Sequence, residues 1–289
     1  MARQSLTTLL AVAAAVFAAG CGTAPDEQRE YAERMAKEHA HDAPVANPAS
    51  QTAPGAEVEA SDVQYATIDG RPVTGYLARP TAAEGPLPGL IVIHEWWGLN
   101  DNIRAMARRL AGEGYAALAV DLYGGEVASD PDAALELMTA ANEHPAAAED
   151  NLRQAYAYLA DQLGAPAVGS IGWCFGGGWS LGTALLLPDR LDAAVIYYGH
   201  LVTDPQRLAT LEMPILGLFG EQDQGIPLAS VRAFEAALRG LGKEAKIVVY
   251  PGADHAFANP SGRNYQPEAA EQAWLETVAF LERALKHGT

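Results

Sequence analysis

The sequence predicts a single α/β domain built on a mostly parallel twisted sheet with helices on both faces. Short apolar runs alternate with amphipathic segments at helical spacing, which is typical of parallel strands joined by helical crossovers. The chain has 289 residues, 49% of them hydrophobic and 19% charged, so it is long and apolar enough for a sizeable core. Neither a second linker-like stretch nor an internal repeat interrupts residues 61–289, and we expect that segment to fold as one domain.

The individual elements follow from these runs in chain order. A leading antiparallel hairpin is predicted from Val63–Thr67 and Val73–Ala78, around a turn at Asp69 and Gly70. Six later runs predict buried strands: Leu90–Ile93, Ala116–Asp121, Ala167–Trp173, Ala193–Tyr198, Ile215–Phe219 and Lys246–Tyr250. The segments between and after them predict helices: Asp101–Ala111, Asp132–Ala141, Ala146–Leu163, Gly177–Leu187, Leu228–Leu241 and Pro267–Lys286.

The charge balance argues against nucleic acid as a partner. The chain has 19 Lys and Arg residues against 36 Asp and Glu residues, a formal net charge of −17. Such a surface repels phosphate backbones and keeps a protein soluble.

No metal or cofactor is expected. His39 and His41 have no third ligand near them in the sequence, so both are expected to be solvated.

The N-terminal 60 residues are predicted to lie outside the folded domain. Residues 1–20 carry one charge, Arg3, and an apolar stretch, Leu6–Ala19, which together predict a signal peptide. Cys21 follows small residues and resembles the acylated cysteine of a bacterial lipoprotein; the alternative is an ordinary leader with an incidental cysteine. We therefore expect an exported protein held on the cell-envelope membrane by lipid alone. Residues 21–60 read as a flexible tether, because they contain few bulky apolar residues.

The strongest local signal for chemistry is the run Gly172–Gly177, with sequence GWCFGG, between a predicted strand and a predicted helix. It matches the G-x-nucleophile-x-G turn, whose glycines allow close backbone approach around a strained residue. Cys174 would then lie at the first turn of the helix, where the helix dipole favours the thiolate. The alternative is a buried structural cysteine in a glycine-rich turn.

The remaining catalytic groups are predicted from chain order. An α/β-hydrolase places its acid and then its histidine after two later strands. Asp223 follows the Ile215–Phe219 run, and His255 follows the Lys246–Tyr250 run. His255 would pass protons between Cys174 and substrate, while Asp223 would orient its imidazole. Asp254 is the rival acid, but it is the chain neighbour of His255. The other histidines fall at positions that do not suit the base: His200, His144 and His287.

Four motifs together resemble the dienelactone hydrolase family over about residues 63–286. In order they are HEWWGLN at His94–Asn100, DLYG at Asp121–Gly124, GWCFGG at Gly172–Gly177 and HAF at His255–Phe257. The resemblance implies a cysteine hydrolase of lactones or other esters, with Cys174, Asp223 and His255 as its triad. It also implies that Glu95 pairs with the resting thiol and accepts its proton when substrate arrives. The alternative for Glu95 is a strand-end carboxylate that caps a backbone group.

Two backbone donors and four side chains are predicted to contact the substrate. The oxyanion hole is expected from the N–H groups of Phe175, which follows the nucleophile, and of Trp96. Four side chains are candidates for substrate binding: Trp97, Tyr123, Phe257 and Arg263. The aromatic residues could equally be core packing.

One departure from the family concerns the charge of the substrate. Members that cleave dienelactone have an arginine soon after the Asp-Leu-Tyr motif and another just after His-x-Phe-Ala. Here those stretches continue as Gly124-Gly125-Glu126 and Asn259-Pro260. Arg263 is the nearest cation in sequence, so a neutral ester, thioester or lactone is as good a candidate as an anionic lactone.

The predicted function is therefore hydrolysis of an ester-type bond in a small molecule through a thioacyl-enzyme, by a monomer. A cysteine peptidase using the same triad is the alternative among enzymes. A non-catalytic envelope-binding lipoprotein is the alternative outside them. A disulfide between Cys21 and Cys174, or a redox role, is a minor alternative, because no resolving thiol lies near the turn.

Overall fold

The computed structural model describes residues 25–44 and 52–287, and within them an eight-stranded sheet carries the fold. In spatial order the strands run β1-β2-β4-β3-β5-β6-β7-β8. Their bounds are β1 Val58–Ile68, β2 Arg71–Pro80, β3 Gly89–Ile93, β4 Ala116–Val120, β5 Val168–Trp173, β6 Ala193–Tyr197, β7 Ile215–Gly220 and β8 Ala245–Tyr250. β1 and β2 form an antiparallel hairpin, β2 joins β4 antiparallel, and all later pairs are parallel.

Helices connect the strands. Their bounds are α1 Pro25–Glu38, α2 Asp101–Gly112, α3 Pro131–Glu143, α4 Pro145–Ala157, α5 Phe175–Leu186, α6 Pro205–Leu208, α7 Leu228–Gly240 and α8 Pro267–Leu285. The apolar residues of β3, β4, β6 and β7 are buried, as expected for strands covered on both faces. In the described part of the chain, no helix combines the length and hydrophobicity needed to cross a bilayer.

The predicted fold class is confirmed: the chain forms one α/β domain with a mostly parallel sheet. Two boundaries differ in ways that matter for the site. α5 begins at Phe175, not at Gly177, so it starts directly after Cys174. The predicted helix Ala146–Leu163 is α4 followed by a wider π-helical turn at Tyr158–Gln162.

The prediction of a flexible tether is wrong for the described residues 25–44. Pro25–Glu38 forms helix α1, and the side chains of Tyr31, Met35 and His39 are buried. These three residues are spaced four apart, so they share one face of the helix and its C-terminal turn, and that face packs against the domain. The composition of the segment does not reveal this packing, because three buried side chains on one face are enough to hold the segment against the domain. Cys21, the predicted signal peptide and residues 45–51 lie outside the described residues.

Candidate active site

The nucleophile candidate Cys174 lies at a strained turn between β5 and α5. Its backbone angles are φ 54° and ψ −116°, a conformation that non-glycine residues rarely adopt. Its backbone N–H donates to the carbonyl of Tyr197 at 3.0 Å, which ties the turn to β6. Glycine is required at Gly172 and Gly176, since a Cβ atom at either position would collide with backbone atoms of the neighbouring turn or strand.

The predicted histidine and acid meet beside this turn. His255 follows β8 and Asp223 follows β7, so both lie at the carboxyl edge of the parallel strands with Cys174. Nδ1 of His255 lies 2.8 Å from Oδ2 of Asp223, and both side chains are fully buried. The other oxygen of Asp223 accepts the backbone N–H of Ile226 at 2.7 Å, which fixes the carboxylate. The rival Asp254 accepts the backbone N–H of His255 at 2.8 Å, so it caps the turn.

A second histidine–carboxylate pair faces the same thiol, and the sequence analysis missed it. Nε2 of His39 lies 3.7 Å from Sγ of Cys174, and Nδ1 lies 2.8 Å from Oδ2 of Asp42. His39 is 1% exposed, so the expectation that it is solvated is wrong. His41, by contrast, is exposed as expected. The only available signal was the four-residue spacing from Met35 to His39.

Met35 completes the contact between the N-terminal segment and the thiol. Its Sδ atom lies 3.7 Å from Sγ of Cys174. Arg34 donates to the carbonyl of Gly225 at 3.1 Å, and the backbone N–H of Arg263 donates to Asp42 at 3.3 Å. The segment 25–44 therefore covers the nucleophile candidate Cys174, which is 0% exposed.

The buried charges favour a thiolate–imidazolium pair. Burial opposes ionisation of Cys174, but the charge of His255, together with the hydrogen bond and charge of His39, outweighs it and lowers the pKa of the thiol to about 6. Burial opposes protonation of His255, yet Asp223 and Cys174 raise its pKa well above the ordinary value. The pKa of His39 is also raised: burial acts against this, and the hydrogen bonds to Asp42 and Cys174 prevail. A thiol with its pKa lowered in this way has the ionisation state that a cysteine nucleophile needs at neutral pH.

Glu95 is buried beside the thiol but is bonded elsewhere. Its Oε2 accepts the side-chain amide of Asn259 at 2.6 Å. Burial, and then the proximity of Cys174, raises the pKa of Glu95 to about 8, so its carboxyl carries a proton at neutral pH. The hydrogen bond that Glu95 accepts comes from a side-chain amide. Its role as acceptor of the thiol proton, which the resemblance implies, stays a prediction.

The two predicted oxyanion donors follow β3 and β5, which are neighbouring strands of the sheet. Phe175 is the first residue of α5, where backbone N–H groups have no partner within the helix. Trp96 follows β3, and its indole is fully buried against the ring of His39, 4.6 Å away between centroids. His94 accepts the N–H of Leu122 at 3.2 Å and so joins the β3 and β4 loops.

Several buried polar atoms around the thiol lack a hydrogen-bond partner among the described residues. They are Oη of Tyr31, Tyr123 and Tyr198, Oε1 of Glu95, Nε1 of Trp96 and Nε2 of His255. Each unsatisfied buried group costs about 1–3 kcal/mol, so such a concentration is typical of a binding site and not of a core. This distribution of orphaned donors and acceptors suits a polar ligand.

The predicted substrate-contacting side chains are mostly buried. Trp97 and Phe257 are within 1% of complete burial, and Tyr123 is 8% exposed. Phe257 packs on Tyr198, with ring centroids 5.4 Å apart. Arg263 is exposed, and only its backbone is bonded to the segment that covers the site. Cys174 itself is 0% exposed.

The other histidines lie away from the triad. The ring of His200 is 4.9 Å from that of Tyr31, under the N-terminal segment. His144 separates α3 from α4, and the exposed His287 lies 3.9 Å from Glu282.

A family model described as the dienelactone hydrolase family matches residues 73–285 of the chain. The chain belongs to that family. A relative from Saccharolobus solfataricus, provisionally named a carboxymethylenebutenolidase, is 34% identical over 75% of this chain and 96% of its own. A provisionally named carboxymethylenebutenolidase from Escherichia coli is 36% identical over 83% of this chain and 94% of its own.

Solved structures agree with the sequence match. A crystal structure from Klebsiella pneumoniae, provisionally described as a dienelactone hydrolase, has a TM-score of 0.72 at 33% identity and covers 78% of this chain and 99% of its own. A dienelactone hydrolase-like promiscuous phosphotriesterase from metagenomic libraries has a TM-score of 0.71 at 25% identity, over 78% and 98%.

This dienelactone hydrolase family member is therefore a hydrolase, and its family indicates ester or lactone substrates. Membership of this family favours an enzyme over the alternative of a non-catalytic envelope-binding protein. The family match begins within β2, so α1, His39 and Asp42 lie outside it. The His39–Asp42 pair therefore comes from a part of the chain that the family model does not match.

Proposed function

We propose that this enzyme hydrolyses an uncharged ester, thioester or lactone through a thioacyl intermediate on Cys174. The observation that carries the proposal is the position of this thiol at the start of α5, beside a histidine that is itself hydrogen bonded to Asp223. The thiol pKa of about 6 makes the thiolate the main form at neutral pH. Thiolates are strong nucleophiles toward acyl carbon.

In the acylation step, Sγ of Cys174 attacks the carbonyl carbon and a tetrahedral oxyanion forms. The N–H groups of Phe175 and Trp96 would stabilise that oxyanion, a contribution worth about 10²–10³ in rate for one donor. The His255 imidazolium then gives its proton to the leaving alkoxide, thiolate or lactone oxygen, and the carbon–oxygen or carbon–sulfur bond breaks. The acyl group remains on Cys174 as a thioester.

In the deacylation step, His255 is neutral and accepts a proton from water as that water attacks the thioester carbon. The tetrahedral intermediate collapses, the carbon–sulfur bond breaks, and Cys174 leaves as a thiolate beside the reprotonated His255. Asp223 keeps the imidazole in one tautomer throughout, through its bond to Nδ1. The carboxylic acid product ionises on release.

An uncharged substrate suits the charges around the site. The stretches after Tyr123 and Phe257 contain no arginine, and the side chain of Arg263 is exposed. A cavity of about 90 Å³ is lined by Glu95 and Arg109, among other residues. That arginine is already paired with Glu271 at 3.2 Å and lies over the ring of Trp274, so its charge is engaged. A substrate carboxylate buried here would lack a free cation, which is costly.

We also propose that the protein is exported as a monomer and anchored through lipid on Cys21. Support comes from the apolar stretch Leu6–Ala19 and the small residues before Cys21. More than one acyl chain is needed for stable anchoring. Mass spectrometry of the membrane fraction should find an acylated N-terminal cysteine, and sedimentation should give one chain. A soluble mature protein without acyl mass would contradict the anchor.

The test of the enzymatic proposal is to trap the acyl group. The purified full chain is mixed with a short-chain nitrophenyl ester, quenched in acid and digested. We expect the acyl mass on the peptide that contains Cys174, with more of it in His255→Ala if deacylation is slowed more than acylation. Cys174→Ala should carry none. Turnover that persists in Cys174→Ala, or acyl mass on another residue, would overturn the proposal.

A further inference from the structure

Four metal-binding atoms converge at the covered thiol. Ligand atoms of His39, Cys174 and His255 all lie within 4.8 Å of one another, and all three side chains are buried. Sδ of Met35 is a fourth donor, 3.7 Å from Sγ of Cys174. The donor set is two imidazole nitrogens, a thiolate and a thioether. Two of these donors come from the N-terminal segment 25–44 and two from the hydrolase triad.

Both imidazoles are oriented as metal ligands are. Nδ1 of His39 is held by Asp42 at 2.8 Å, and Nδ1 of His255 is held by Asp223 at the same distance. A carboxylate on one ring nitrogen leaves the other nitrogen to bind and increases its basicity. Nε2 of His39 points at Cys174, and Nε2 of His255 is buried without a hydrogen-bond partner among the described residues.

The spacing also suits a metal. In a tetrahedral site with metal–sulfur and metal–nitrogen bonds of about 2.3 and 2.0 Å, sulfur and nitrogen ligands lie about 3.5 Å apart. The distance from Sγ of Cys174 to Nε2 of His39 is 3.7 Å, so this pair needs almost no movement. The longest separation among the three ligand atoms, within 4.8 Å, must shorten by at most about 1.5 Å.

We propose that Met35, His39, Cys174 and His255 form a copper site that the N-terminal segment completes. Soft thiolate and thioether ligands select copper, and two histidines, one cysteine and a weak methionine form a recurrent copper donor set. Zinc can use the same nitrogens and thiolate, but it gains little from a thioether and follows copper in affinity for such sites.

Copper and hydrolysis are mutually exclusive at this site. The metal takes the thiolate that attacks the substrate and the imidazole nitrogen that carries its proton. Binding displaces the proton of the His255 imidazolium and any proton left on the thiol or on His39. Copper also links the segment to the triad, because two ligands come from each. The copper-bound enzyme is therefore closed and inactive.

The experiment measures copper directly, so its outcome does not depend on the proposed ester hydrolysis. The untagged full chain with Cys21→Ser is titrated anaerobically with Cu(I) against a chromophoric Cu(I) chelator. We expect one copper per chain. Cu(II) should give a visible thiolate-to-copper charge-transfer band, which Cys174→Ser removes. Zn(II) should compete more weakly than Cu(I).

Matched variants separate this site from adventitious binding. His39→Gln should lower Cu(I) affinity at least tenfold, and Asp42→Asn should lower it about 10–100-fold, as loss of a supporting carboxylate does. His41→Gln, an exposed histidine on the same segment, should leave affinity unchanged. Met35→Leu should weaken binding and shift the Cu(II) band, while Met138→Leu, another buried methionine, should do neither.

Three results would overturn the proposal. Copper affinity that is the same in His39→Gln and in the parent would remove the segment from the site. Equal losses in His39→Gln and His41→Gln would indicate surface binding. Zinc binding tighter than Cu(I) would exclude a site selected by soft donors. Circular dichroism of each variant guards against loss of the fold, and affinities are compared among variants with the parent spectrum.

Discussion

At the scale of single residues, burial of Cys174 opposes its ionisation, and the two histidines that face it favour its ionisation. Each histidine has its own carboxylate, Asp223 for His255 and Asp42 for His39. Because both pairs favour imidazolium, they offset the cost of burying a thiolate. His255 and His39 thus both favour loss of the proton from the Cys174 thiol.

Replacing the triad residues should abolish ester turnover to different degrees. Cys174→Ala and His255→Ala should each remove measurable turnover, and Asp223→Asn should lower kcat by about 10⁴, because the imidazole is no longer held in the useful tautomer. The effects should not add. Circular dichroism should report an intact fold. Steady-state rates on a nitrophenyl ester give the measurement, and near-wild-type kcat in Asp223→Asn would remove that residue from the triad.

The thiolate should be visible by direct titration. The ultraviolet thiolate absorbance, taken as wild type minus Cys174→Ala, should rise with a midpoint near pH 6, well below the ordinary cysteine pKa of about 8.5. His39→Gln should move the midpoint to higher pH, since one group that stabilises the thiolate is lost. His41→Gln is the control and should not move it. A midpoint that is the same in all three proteins would mean that His39 does not affect the thiol.

Glu95 should set the alkaline limit of activity. Its carboxyl loses its proton as the pH rises through about 8, and the new negative charge lies next to the thiolate and the developing oxyanion. We therefore expect kcat/KM to fall above pH 8. Glu95→Gln keeps this position neutral, so it should flatten that fall and leave the profile below pH 7 nearly unchanged. A profile with the same alkaline limb in both proteins would assign the limb to another group.

At the scale of elements, the parallel strands bring the triad together, and α1 covers it. β3, β5, β7 and β8 end at one edge of the sheet, so the loops that follow them meet there. α1 is not part of this strand arrangement. It contacts Cys174 at the same edge through Met35, which lies 139 residues earlier in the chain. Access to the thiol therefore depends on an element held by a small number of side chains.

Weakening α1 should expose Cys174. Deleting residues 1–44 should raise the rate of alkylation by iodoacetamide and leave the eight-stranded sheet folded, because the triad and the strands lie later in the chain. Met35→Ala removes a fully buried side chain, a change that costs about 2–5 kcal/mol in cores, so alkylation should accelerate at least about tenfold through local opening.

The matched control for α1 is Glu33→Ala, an exposed position on the same helix, which should not change the rate. Equal alkylation rates in Met35→Ala, Glu33→Ala and the parent would contradict the role of α1 as a cover.

The sequence predicted those parts of the site that are specified locally. Cys174 is recognisable because glycines lie two positions before and after it, between a strand and a helix, and His255 and Asp223 follow from the order of the strands. His39 could not be found this way, because Cys174, which it contacts, is 135 residues away in the chain. The residues next to His39 in the sequence are mostly charged or small, which gives no sign of burial. Only the four-residue spacing of Tyr31, Met35 and His39 pointed to a buried helical face. The bond from Glu95 to Asn259 was equally hidden, because it joins loops 164 residues apart.

At the scale of the whole molecule, the net charge should affect which substrates arrive. The chain carries −17 at pH 7, so its field repels anions before they reach the site. This long-range repulsion adds to the local lack of a free cation near Cys174. Salt screens the long-range part, with a Debye length of about 10 Å at 0.1 M, but screens a buried contact much less.

Ionic strength should therefore separate anionic from neutral substrates. At low salt, kcat/KM for a lactone that carries a carboxylate should be well below that for its methyl ester. Raising the salt concentration should narrow the gap by increasing the rate for the anion, while the rate for the neutral ester changes little. The part of the gap that remains at high salt measures the cost of placing a carboxylate in a site without a free cation. Equal values at low salt would contradict both effects and would point to Arg263 as the group that holds the anion. In that case Arg263→Gln should lower kcat/KM for the lactone carboxylate and leave the methyl ester unaffected.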